Sequence, residues 1–183
     1  MKRLFILLAL LISTTASSAD ETHGFSAGLG LGLTEDYGGI THYDFAYRYQ
    51  FTPDWGVEVG YTPFQSEPFT AAIHGVFDDY VLENSYSSRL AGTYTYQISA
   101  RHNAIFKAGL SQSKANYQLN DYGNSGDDVI TIDEYSDDGY GLYAALGWRC
   151  RFYNGFEIMT TLAYQDSGTL EMTSFTVGIG YSF

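Results

Sequence analysis

From Gly24 to the final residue, apolar and polar positions alternate with a period of two, segment after segment. In residues 24–33, GFSAGLGLGL, Phe25, Ala27, Leu29, Leu31 and Leu33 share one face, and Ser26, Gly28, Gly30 and Gly32 share the other. In residues 42–51, HYDFAYRYQF, aromatics at every odd position oppose His42, Asp44, Ala46, Arg48 and Gln50. A helix would scatter these residues round its circumference, whereas a strand sends successive side chains to opposite faces. Six more segments follow the same rule: residues 55–61, 86–98, a fifth starting near Ala104, then 140–152, 156–164 and 175–183. The pattern predicts eight strands. They are joined alternately by short connections (residues 52–54, 99–103 and 153–155) and by longer or more polar ones.

Two packed sheets would also alternate, but they would bury the aliphatic face and leave the polar one in water. The aromatics discriminate between the two folds. With the N-terminal end in the periplasm and strands running outward and back, Phe25, Phe51, Trp55, Tyr96, Phe106, Trp148, Phe152, Phe156, Tyr181 and Phe183 gather at one rim. Tyr43, Tyr61, Tyr86, Tyr140, Tyr164 and Phe175 gather at the other, with Leu, Val, Ile, Ala and further Tyr between. Aromatic girdles flanking an apolar band mark the two lipid-water boundaries of a transmembrane barrel, and short inner turns with longer outer loops belong to the same architecture. The expected fold is all-β: an eight-stranded antiparallel up-and-down transmembrane β-barrel.

Composition adds an address. Lys2 and Arg3 precede LFILLALLI, and small residues follow as far as Ala19. This is the layout of a secretory signal peptide, with Ser17-x-Ala19 before the cleavage point. The apolar run is too short for a spanning helix, which needs about 20 residues. Residues 1–19 are expected to be removed, leaving 20–183 as one barrel domain. Seventeen Tyr, 12 Phe and 20 Gly with only 3 Pro suit strands that curve tightly around a crowded interior. The net charge is −12, and two positive charges fewer once Lys2 and Arg3 leave, so nucleic acid is excluded as a partner. The single cysteine, Cys150, rules out an internal disulfide framework. Parity places it on the lipid face near the inner rim, as a small apolar side chain.

The stretches FTPDWGVEVGY (residues 51–61), GLYAALGWRCRF (141–152) and the closing TVGIGYSF resemble the small eight-stranded outer-membrane barrels related to the transmembrane domain of outer membrane protein A. The resemblance covers about residues 22–183. It implies a monomer in a Gram-negative outer membrane, surrounded by lipid and lipopolysaccharide, in a family that includes porin-like members. It also implies an assembly signal at the end of the chain, matched by Thr176, Gly178, Tyr181 and Phe183 and read by the barrel-assembly machinery. The sequence stops with the barrel, so the peptidoglycan-binding domain of larger relatives is not expected.

Eight strands enclose an interior just wide enough for side chains. Its expected charges are Asp44, Arg48, Glu58, Arg89, Lys107, Arg149, Arg151 and Glu157. If Phe51 faces Trp55 across a three-residue turn, Arg48 falls opposite Glu58; if Phe152 faces Phe156, Arg151 falls opposite Glu157. Gly155 would then take the left-handed position of its hairpin. These charges predict a plug of ion pairs, with a narrow ion path as the alternative.

Of the 21 carboxylates, fifteen fall in or beside the outer loops: Glu35, Asp36, Glu67, Asp78, Asp79, Glu83, Asp121, Asp127, Asp128, Asp133, Glu134, Asp137, Asp138, Asp166 and Glu171. The third loop, residues 120–139, lacks the ligand spacing of a calcium loop, so a solvated acidic surface is expected rather than a metal site. Within it, VITIDEY (residues 129–135) is expected to prolong the barrel hairpin beyond the membrane. A lipid-deacylating barrel would need His and Ser two residues apart on one strand face, beside a carboxylate. None of His23, His42, His74 or His102 has a serine at that spacing. No enzyme, cofactor or metal is therefore expected. The sequence predicts a structural or surface-interaction role carried by acidic outer loops that offer a site for an extracellular ligand. A narrow channel is the next alternative, and a lipid A-modifying enzyme a distant third.

Overall fold

The computed structural model describes residues 22–34, 38–66, 80–82, 85–122, 129–168 and 170–183. The leader segment lies outside them, as do Glu35, Asp36, Glu67, Asp78, Asp79, Glu83, Asp127 and Asp128. The strands are β1 (His23–Thr34), β2 (Gly38–Gln50), β3 (Trp55–Ser66), β4 (Tyr80–Leu82), β5 (Ser85–Gln97), β6 (His102–Tyr122), β7 (Val129–Arg151), β8 (Phe156–Asp166) and β9 (Glu171–Ser182). Eight of them pair antiparallel in chain order, and β9 returns to pair with β1, closing the barrel. The short β4 pairs with β6 at Tyr117–Leu119, beyond the last β5–β6 pair at Lys114.

Closure explains why so many large apolar side chains face outward. Leu31, Leu90, Leu110 and Leu142 are each at least 60% exposed, while Arg149 and Glu157 are 1% exposed. In water this would be an inverted protein; in a bilayer it is the expected sorting. At the inner rim Trp55 lies 4.9 Å from Tyr94, Phe152 5.8 Å from Phe156 and Phe25 6.2 Å from Phe183, between ring centroids. At the outer rim Tyr61 lies 5.6 Å from Tyr86.

The inner turns set the register of the hairpins. Phe51 N donates to Trp55 O at 3.1 Å, and Phe152 N to Phe156 O at 2.8 Å. Arg48 consequently pairs with Glu58 and Arg151 with Glu157, as the three-residue turns require. Gly155 adopts φ +80°, where a side chain would be strained and would run into the Ser182 carbonyl.

The strands differ from the sequence expectation at their outer ends. β2 starts at Gly38 rather than 42 and β3 runs to Ser66 rather than 61, while β7 starts at Val129, prolonging the hairpin through residues 129–135 as expected. Alternation is enforced only where one face meets lipid. Beyond the bilayer, backbone pairing continues without it.

Candidate functional site: the lumen and its two mouths

All eight charges expected inside the barrel point inward, and they sort into two clusters. In the first, the Arg89 guanidinium donates to both Asp44 oxygens, at 2.6 and 3.0 Å, and to Glu58 Oε1 at 3.0 Å. Lys107 Nζ donates to the two Glu58 oxygens at 2.8 and 2.7 Å. Thr62 donates its hydroxyl hydrogen to Asp44 at 2.8 Å, and the Tyr143 ring packs 5.1 Å from the guanidinium carbon of Arg89. Gly60 makes this arrangement possible, because a methyl group there would overlap the Arg89 guanidinium.

The second cluster lies nearer the inner mouth and centres on Glu157. Arg48, Arg149 and Arg151 approach its carboxylate at 3.3, 3.4 and 3.1 Å. Ser182 donates to Glu157 Oε1 at 2.8 Å and accepts from Arg48 Nη2 at 3.0 Å. The register between Arg48 and Glu58 is the expected one, but the ion pair is not. Glu58 is held by Lys107 and Arg89, and Arg48 reaches past β1 to Glu157 on β8. In so narrow a ring, a side chain spanning a chord meets strands that are not its neighbours.

Above the charges the lumen changes character. His42 Nε2 and Thr176 Oγ1 share a hydrogen bond of 2.9 Å. Ser87 donates to Gln165 Oε1 at 2.9 Å, and Gln165 Nε2 in turn donates to Ser113 Oγ at 2.5 Å. Higher still, Ile40, Phe64, Ala115, Leu170 and Met172 form a buried apolar cluster at the outer mouth. This cap was not among the features expected from the sequence. Parity had the information, since Ile40, Phe64, Ala115 and Met172 occupy inward positions of strands prolonged past the lipid band.

Beside the clusters the voids are small. One of about 10 Å³ touches Arg48, Glu58, Lys107 and Glu157; another of about 20 Å³ touches His42, Asp44, Arg89 and Tyr143. Each holds about one water. A larger recess of about 290 Å³ opens at the inner mouth, lined among others by Gln50, Asp54, Thr95, Asn103, Arg149 and Arg151. At the tips of the inner turns, Arg101 lies 4.5 Å from the Tyr153 ring centroid, and its hydrogen bond and charge hold the Tyr153 phenol below its ordinary pKa.

Outside, β6 and β7 stay paired from Gln112 and Tyr140 out to Tyr122 and Val129, with one register shift between Leu119 and Asn120. β8 accompanies β7 only as far as Leu142, opposite Asp166. The hairpin therefore rises beyond its neighbour by about twelve residues, roughly 40 Å along the strand. Asp137 and Asp138 on it are exposed. Among the described residues, no group of three His, Cys, Asp or Glu side chains converges as a metal site would require.

The four residues of the expected assembly signal divide between the faces of β9. Thr176 faces the lumen beside His42, and Gly178 is so close to the Ala27 carbonyl that an added Cβ would lie 2.8 Å from it. Tyr181 and Phe183 join the inner aromatic rim, with centroids 6.3 Å apart. Phe183 also exchanges backbone hydrogen bonds of 2.9 and 3.0 Å with His23.

Solved structures with the same fold include Ail of Yersinia pestis in complex with the heparin analogue sucrose octasulfate (16% identity, TM-score 0.59, covering 88% of this chain and 97% of that one). OprG of Pseudomonas aeruginosa matches at 11% identity and TM-score 0.60, over 88% of this chain and 95% of that one. Neisserial surface protein A matches at 13% and 0.57, over 88% and 96%. No curated protein sequence matches the chain. Residues 4–183 match the family described as outer membrane protein beta-barrel domain. With an eight-stranded closed barrel, an apolar belt and a charged interior in place, the chain belongs to that outer-membrane family.

Proposed function

We propose that this barrel is a non-enzymatic surface protein whose β6–β7 hairpin presents an acidic face to a cationic macromolecule outside the cell. The observation that carries this reading is the hairpin itself, a paired ribbon standing clear of β8 with Asp137 and Asp138 exposed on it. Lumen packing supports it too, because ion pairs and an apolar cap occupy the interior. His42, the histidine nearest a lumen carboxylate, bonds Thr176, while Asp44 is engaged by Arg89 and Thr62.

Ail was captured with a polysulfated ligand. A chain of net charge −12 with acidic loops has the wrong sign for that ligand. A basic protein surface is the complementary partner here. Cells displaying the intact protein should be retained on poly-lysine and on cultured host cells more strongly than cells displaying a hairpin trimmed back to Lys114 and Asp138. Retention on heparin should not differ. The difference should vanish at about 1 M salt, where charges are screened beyond about 3 Å. Equal retention of both forms at matched surface levels would sink the proposal.

A second reading, a narrow channel for ions or small solutes, is favoured by the 290 Å³ recess that opens the lumen to the inner side. Planar-bilayer recordings separate the two. A plugged barrel gives no discrete steps at any voltage, and reproducible unitary steps would establish the channel.

A further inference from the structure

Seven of the eight barrel pairings join strands that follow one another round the ring, each linked by a turn or loop. The eighth, β1 with β9, brings together the two ends of the fold and has no connection to help it. Its loop-closure cost is the largest in the barrel. β1 is also rich in glycine, which weakens a strand. The seam is thus the place where the closed barrel is expected to be least secure.

Two cross-strand rows on the lumen face bear on this. His42, Gly30 and Thr176 occupy one row, on β2, β1 and β9 in that order. Arg48, Gly24 and Ser182 occupy another. In both, a long polar side chain from β2 passes over a glycine of β1 and bonds a hydroxyl of β9. His42 Nε2 meets Thr176 Oγ1 at 2.9 Å, and Arg48 Nη2 meets Ser182 Oγ at 3.0 Å. The glycines are required for the passage. A Cβ on Gly30 would overlap the His42 imidazole, and one on Gly24 would stand 2.8 Å from Arg48 Nη2. The rows lie six residues apart along β1, roughly 20 Å, so one holds the inner end of the seam and the other a point just past its middle.

We propose that these rows are catches that lock the barrel's closing seam from inside, with β2 side chains gripping β9 across β1. The glycines of GFSAGLGLGL then serve as slots for the two side chains, and Thr176 has a role in the finished barrel besides any in assembly. A seam so held resists parting into two open strand edges, which would expose unpaired backbone groups to lipid.

Amide hydrogen exchange on the protein folded in lipid vesicles tests this directly. Thr176→Val with Ser182→Ala removes both hydroxyl partners and leaves the glycine slots intact. Exchange at β1 and β9 amides, such as Leu29 and Ile179, should accelerate about tenfold, while Val59 and Leu90 on β3 and β5 keep their rates. Ser87→Ala, which removes a lumen hydrogen bond between β5 and β8 and touches neither row, should leave Leu29 and Ile179 unchanged. Faster exchange spread evenly over all strands, or none at the seam, would overturn the proposal.

Discussion

Glu157→Gln should be the most destabilising single substitution in the lumen, costing about 3 to 5 kcal/mol. Glutamine keeps the shape and removes the charge, so packing is not the variable. Three arginines, Arg48, Arg149 and Arg151, approach the carboxylate within 3.4 Å, and Ser182 donates to it as well. Taking away the anion leaves two buried guanidiniums, Arg48 and Arg149, and a partly exposed third, Arg151, crowded around a neutral amide. Glu58→Gln provides the comparison. It strips Lys107 of its carboxylate, but Arg89 retains both bonds to Asp44, so the loss should be smaller. Urea unfolding of the two variants in lipid vesicles gives the ranking. Equal losses would mean that the clusters do not act as separate units.

Leu90→Arg should cost about 2 to 4 kcal/mol in a bilayer. Leu90 sits midway along β5, 60% exposed, between Val59 on β3 and Leu110 on β6. An arginine there meets hydrocarbon, whereas Arg89, one residue away, is held by two carboxylates. Identical chemistry at adjacent positions should therefore have opposite consequences. Vesicles with thinner hydrocarbon cores should reduce the penalty, since the side chain reaches a headgroup sooner. An unchanged unfolding free energy would mean that this face does not contact lipid.

Much of the interior was legible in the sequence because strand parity has only two outcomes. All eight inward charges were assigned by it, and two turn lengths set the registers of Arg48 with Glu58 and Arg151 with Glu157. The apolar cap was not legible in alternating hydrophobicity, which fades where the strands leave lipid. Ile40, Phe64 and Met172 lie in those prolonged ends. An inward position that turns apolar near a strand's outer end was the available signal.

The seam catches show what a linear reading lacks. Each of His42, Gly30 and Thr176 could be assigned to the lumen face from its own strand, but the row they form exists only once β1 is flanked by β2 on one side and β9 on the other. Arg48 makes the same point, since its neighbour in the register is Glu58 while its partner is Glu157. The sequence by itself determined strand number, facing and inner-turn register, because a two-residue period and the turn lengths are local quantities. Ring closure alone decided which charges meet and which hydroxyls hold the seam, because those contacts cross the barrel between strands that are remote along the chain.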